Sequence, residues 1–350
     1  MDNRNNNFDF LRLILASFVI ITHSYPLSGI KECDFLCLLS KGQISFSYIG
    51  VKGFFVISGY LIFQSLQRSP NIIDYFWKRF LRLFPGLFIV LFLTVVLACF
   101  IYQGNIPFYY NKSLLTYLPN NLSLYRIQYS IDGVFETNPY RSSINGSLWT
   151  IPYEFTMYIL LSFLIIFRNK KRVIQIILLV LFLFLLTGNI FYFEQLGKYQ
   201  FYISSKHLLD LGVFFIAGAL LATINIRTIK RKKELLIVSC IIVIASIYFD
   251  FYIYSKYITL PILFIFFGLN PIPIISSIGS KIGDLSYGIY IYGFPVQQTL
   301  MYYFSLNYFE LMVYSMVISY IFAYFSWHLI EKRALKLKKT NPIQIFRKLL

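Results

Sequence analysis

The sequence predicts an all-α fold: a polytopic transmembrane helix bundle of about ten spans, with both ends of the chain on the cytoplasmic side. Hydrophobic residues fill 57% of the 350 positions and charged residues only 13%. The apolar residues fall into runs close to the ~20 positions that a helix needs to cross a hydrocarbon core. Lys and Arg collect in alternate loops between those runs, as they do in cytoplasmic loops of membrane proteins.

The runs follow in order. Residues 10–27 form the first, interrupted by Arg12 and His23. Residues 48–66 form the second, with small residues at Gly50, Gly53, Ser58 and Gly59 that let helices approach closely. The third, 84–102, is entered through Lys78, Arg79 and Arg82, and the fourth, 147–167, through Asn145-Gly-Ser. Residues 173–187 and 257–269 are short enough to be re-entrant instead of spanning. Between these two lie runs at 208–226 and 235–249. The ninth run, 285–303, carries tyrosines, Gln297, Gln298 and Pro295, a composition that suits a cavity better than lipid. The tenth, 311–330, leads into Glu331. Residues 1–335 therefore read as one transmembrane domain, and 336–350 as a basic cytoplasmic tail lying on anionic headgroups.

With the N-terminus inside, 22 of the 32 Lys and Arg fall on the cytoplasmic side, eight fall outside, and Arg12 and Lys52 lie within spans. The net charge of +17 is thus mostly a topology signal. Nucleic-acid binding is not expected, because the basic residues are spread over five loops and a tail with no compact module between them. Cys99 and Cys240 sit in spans, whereas Cys33 and Cys37 share the first outer loop, where they either pair or remain free thiols. No metal set and no resident cofactor is expected.

The chemistry lies in polar groups that interrupt the spans. Charge inside a membrane is costly, and its default reading is functional. By helical rise, Arg12 and His23 stand roughly 16 Å apart, one near each face. Arg79 and Arg82, three residues apart, share a helical face at the inner side. Guanidinium forks match phosphate oxygens, so Arg12, Arg79 and Arg82 suit a phosphorylated cytosolic ligand; alternatively each snorkels to headgroups. At the other face, Glu154 is predicted at the depth of His23. A neutral imidazole accepts a proton and a carboxylate stabilises the resulting cation, an arrangement suited to general-base work. The alternative is a histidine satisfied by a backbone carbonyl and a glutamate paired with another helix.

Several ordered elements resemble the integral membrane acyltransferases of the acyltransferase-3 type. They are Arg12 and His23 at their ten-residue interval, Phe54 to Tyr60 as Phe-Phe-x-x-Ser-Gly-Tyr, Arg79-x-x-Arg82-x-x-Pro85, Ser147-Leu148-Trp149 followed by Glu154, and Ile330-Glu331. One position departs: many relatives carry a His in the ninth span where this chain has Gly293. The resemblance implies a multi-pass O-acyltransferase of the cytoplasmic membrane. It would carry an acyl group, usually acetyl, from cytosolic acyl-CoA to a hydroxyl of an extracytoplasmic polysaccharide or glycan. His23 and Glu154 would be catalytic, Arg12, Arg79 and Arg82 would hold acyl-CoA, and Ser147, Trp149 and Tyr290 would contact the acceptor. Trp149 either stacks on a sugar or anchors its span at the interface. The competing reading is a transporter or flippase of a lipid-linked glycan, without acyl-transfer chemistry.

Overall fold

A computed structural model describes residues 6–141, 143–196, 198 and 203–340. Most of the 336–350 tail, read above as cytoplasmic, lies outside the described residues, as does Arg4, one of the 22 basic residues counted on that side. Ten long helices carry the fold: α1 (Phe8–Leu27), α2 (Phe46–Arg68), α3 (Ile72–Ile101), α4 (Ile151–Ser162), α5 (Lys171–Phe191), α6 (Ser205–Ala222), α7 (Lys232–Tyr248), α8 (Tyr252–Leu269), α9 (Ser286–Tyr303) and α10 (Tyr308–Ser326). Each predicted run falls on one of them. Among the described residues there is no named strand, and the one isolated bridge joins Tyr102 to Val134.

Among the described residues, eight helical segments are long and apolar enough to span a membrane. The two short runs become helices of 21 and 18 residues, because α5 and α8 begin in polar or aromatic residues that hydropathy alone leaves out. The two helices outside the eight are α7, of 17 residues, and the polar α9. The chain is a multi-pass, all-α membrane protein.

Local chemistry sets the helix ends. Ser45 caps α2 by accepting from the Tyr48 amide at 3.1 Å. Asn307 and Glu310 close a reciprocal capping box on α10, which satisfies amides that the first turn leaves without a partner. Cys33 and Cys37 are disulfide-bonded, so the first of the two alternatives for them holds, while Cys99 and Cys240 are free.

The chain forms two compact units, each built from three separate stretches of sequence. One comprises 1–15, 35–72 and 153–281; the other comprises 16–34, 73–152 and 282–350. The boundary falls within α1, between Leu15 and Ala16.

In the first unit, α2 and α6 cross at two glycines. A Cβ on Gly59 would lie 1.9 Å from the Phe215 carbonyl oxygen, and one on Gly218 would lie 2.0 Å from that of Val56. Only hydrogen fits at either place, so backbone meets backbone, as in small-residue crossings of membrane helices. Around this crossing Val56, Ile57, Val213 and Phe214 are fully enclosed. In the second unit, α9 packs against α10, and the glutamines of α9 are held by protein: Gln297 donates to the Ile20 carbonyl at 3.0 Å and to Ser24 Oγ at 2.8 Å. Gln298 donates to the Tyr140 and Ser143 carbonyls at 2.8 and 2.5 Å. The polarity of this helix serves protein contacts, and both amide side chains are completely buried.

Candidate active site

The second unit holds His23, Arg79, Arg82, Ser147, Trp149 and Tyr290, while the first holds Arg12 and Glu154.

His23 lies near the C-terminal end of α1, with its ring edge-on to Phe294 of α9 at 5.2 Å. Phe294 also covers the short 3-10 turn Gly146–Thr150, where a Cβ on Gly146 would come within 2.6 Å of the Phe294 ring. That turn is pinned from both ends. Asn145 accepts from the Ser147 amide at 3.2 Å and donates to the Ile291 carbonyl at 2.9 Å, and Thr150 shares a 2.8 Å hydrogen bond with the Tyr290 hydroxyl. Ser147 is buried, and its Oγ makes no hydrogen bond among the described residues. Trp149 is half-buried on the same turn. The structure thus brings His23, the 146–150 turn and Tyr290 together around Phe294, from three parts of the chain far apart in sequence.

Neither ring nitrogen of His23 makes a hydrogen bond to the protein among the described residues. His328 contrasts with it, since its Nδ1 sits 3.0 Å from the Tyr324 carbonyl, one turn earlier. A half-buried imidazole with uncommitted nitrogens is free to exchange a proton with a ligand.

Gly293 packs against α1, and a Cβ there would be 2.8 Å from Ile20 Cγ1. The space beside position 293 is therefore filled from the other side by the Ile20 side chain.

Arg79 and Arg82 lie within α3, which begins twelve residues ahead of the predicted run. Arg82 Nη2 donates to Asp284 at 2.7 Å, and its Nη1 is 3.9 Å from Glu331, which is only 2% exposed. Ser326 donates to the other Glu331 oxygen at 3.0 Å, and Ser286 donates to Asp284 at 2.6 Å. The rings of Tyr287 and Trp327 flank the guanidinium at 5.9 Å. Two carboxylates thus anchor Arg82, while Arg79 stands one turn earlier, half-buried. Asp284 and Glu331 were not readable as its partners, since the first is 202 positions distant and nothing local marks it.

In the first unit, Glu154 accepts hydrogen bonds through one oxygen from Tyr158, one turn on, and from Ser58 of α2 at 3.3 Å. Arg12 is a half-buried helical residue in the N-terminal half of α1.

A helical scaffold whose apolar helices are long enough to cross a membrane defines the class, an integral membrane protein. An acyltransferase domain family matches residues 5–329, nearly the whole chain. The chain is 30% identical over 338 residues to the O-acetyl transferase of Shigella phage Sf6, covering 95% of this chain and 97% of that protein. It is also 33% identical over 183 residues to nodulation protein 10 of Rhizobium leguminosarum bv. viciae, covering 48% of this chain and 46% of that protein. No solved structure matches. The chain belongs to the acyltransferase-3 family and is a membrane O-acyltransferase.

Proposed function

We propose that the protein transfers an acetyl group from cytosolic acetyl-CoA across the cytoplasmic membrane to a hydroxyl of an extracytoplasmic glycan. The observation that carries this reading is the His23 imidazole, uncommitted and set beside the 146–150 turn. Its general direction is supported by the relative named an O-acetyl transferase along nearly its whole length. In the proposed step, a ring nitrogen of His23 takes the proton of the acceptor hydroxyl while that oxygen attacks the thioester carbonyl. The tetrahedral intermediate expels the thiolate, which recovers the proton from the imidazolium. Ester and free thiol are the products, and the base is regenerated.

Glu154 is assigned a catalytic role within the first unit, where Tyr158 and Ser58 hold one of its oxygens. Arg12 and Arg79 are each assigned to donor phosphates, and Arg82, held by Asp284 and Glu331, is assigned to fix the turn of α3 that carries Arg79. Ser147, Trp149 and Tyr290 are assigned to the acceptor. Arg12 and His23 lie roughly 16 Å apart along one helix, comparable to the reach of an extended pantetheine arm.

The test is transfer of labelled acetyl from acetyl-CoA to surface glycan by membranes containing the protein. His23→Ala should abolish transfer while the protein still inserts and accumulates. Undiminished transfer by that variant would refute the role of His23.

A further inference from the structure

Outside these residues the first unit contains a second polar cluster within its helices. Lys52 of α2 is 4% exposed and bonded to Asp210 of α6. Its Nζ stands 5.2 Å from the centre of the Tyr48 ring and 5.7 Å from that of Phe214. Lys256 of α8 approaches the same Tyr48 ring at 5.5 Å and the Tyr257 ring at 4.9 Å. The Tyr48 and Tyr252 rings meet edge to face at 6.4 Å. All these groups but Phe214 lie in the first two turns of α2, α6 and α8, so the N-terminal ends of three helices share one end of the unit.

The charges do not balance locally. Two ammonium groups stand near one carboxylate, which Lys52 already holds, and Lys256 has no carboxylate within ion-pair distance among the described residues. The Tyr48 and Tyr252 hydroxyls are buried without a hydrogen-bond partner among the described residues, and Tyr252 is only 3% exposed. A buried hydroxyl with nothing to bond to is destabilising, and a half-exposed ammonium group without a carboxylate partner remains available to an anion. One oxyanion would satisfy all three groups, accepting from both phenols and pairing with Lys256. The positive ends of three helix dipoles would add to its attraction. Lys256 is half-exposed, so the cluster can be approached from outside, and its neighbouring tyrosine rings suit the apolar faces of a sugar ring.

We propose that Lys256, Tyr48 and Tyr252, backed by the Lys52–Asp210 pair, form an oxyanion site that holds an acidic substituent of the acceptor, a carboxylate or a phosphate. The identity of the occupant rests on the O-acetyl transfer reading; the existence of the site does not.

The test uses the full chain in nanodiscs of phosphatidylcholine, titrated with methyl β-D-glucuronide and with its neutral counterpart methyl β-D-glucoside. Wild type should prefer the glucuronide by roughly tenfold or more, the scale expected of charge-assisted hydrogen bonds. Lys256→Gln should bring that preference close to parity, Lys256→Arg should keep it, and Tyr252→Phe, which removes only a hydroxyl, should lower it severalfold. Equal binding of the two glycosides by wild type, or a preference unchanged in Lys256→Gln, overturns the proposal. A parallel arm adds phosphatidylglycerol to the nanodiscs. Lys256-dependent retention of that lipid, not displaced by the glucuronide, would give the site to a headgroup and overturn the acceptor assignment. Selective, Lys256-dependent binding in a protein that transfers no acetyl would keep the site and sink the proposed function. Transfer with no preference for acidic acceptors and no effect of Lys256 would do the reverse.

Discussion

Adding one methyl group at Gly59 should separate two helices. The Cβ of Gly59→Ala would sit 1.9 Å from the Phe215 carbonyl oxygen, whereas real Cβ atoms essentially never approach within 3.0 Å of another heavy atom. The obstacle is backbone, not the tip of a flexible side chain, so relief requires α2 and α6 to part by about 1 Å, loosening interdigitated packing that tolerates little volume change. Overpacking of this kind costs about 1–3 kcal/mol, and the upper end applies here because no rotamer change relieves it. Gly218→Ala produces the reciprocal clash at 2.0 Å from the Val56 carbonyl and should cost a similar amount. The informative variant is the double one. Once the helices have parted for the first methyl, the second finds room already made, so the double variant should cost less than the sum by about 0.5–3 kcal/mol, the range for residues sharing one contact. Reversible unfolding in mixed micelles of dodecyl maltoside and sodium dodecyl sulfate, followed by tryptophan fluorescence, measures all three. Strict additivity, or no loss in either single variant, would refute the close crossing.

Three other outcomes follow from the second unit. Arg82→Ala leaves Asp284 and the buried Glu331 without their cation and should destabilise the protein by roughly 3–5 kcal/mol; adding Glu331→Gln should recover part of this in the same unfolding assay. Gly293→His should reduce folded yield in size-exclusion profiles because of the Ile20 side chain, and Ile20→Ala in the same chain should restore it. Restoration by a distant substitution, or none at all, would mean that 293 does not pack on α1. His23→Gln should lose acetyl transfer as fully as His23→Ala with an unchanged unfolding midpoint, separating proton transfer from packing on Phe294.

Apolar run length and loop charge were enough to place every long helix, because the cost of an unpaired backbone in lipid dominates local preference. Boundaries suffered where helices continue into polar or aromatic ends. The predicted third run starts at Phe84, yet α3 starts at Ile72, since the segment bearing Lys78, Arg79 and Arg82 is helical without being apolar. The same effect hid Lys256, which stands just ahead of the run read at 257–269 but lies inside α8. Asp210 drew no notice as a lone acid in an apolar run, and its meaning appears only with Lys52, 158 positions away. His23 was legible by its residue type and position. Its uncommitted nitrogens were not, because they depend on what α9 and the 146–150 turn leave open around it.

The way α1 is satisfied has a consequence for biosynthesis. Gln297 bonds the Ile20 carbonyl and Ser24, and Tyr320 shares a 2.8 Å hydrogen bond with Ser17, so α1 is completed by α9 and α10, which follow 273 to 303 positions later in the chain. Until those helices are made, α1 must wait in the translocon or the bilayer without these partners. Assembly of the second unit is then a late, post-insertion event, and substitutions at Gln297 should reveal themselves first as slowed maturation and proteolytic loss of the newborn chain.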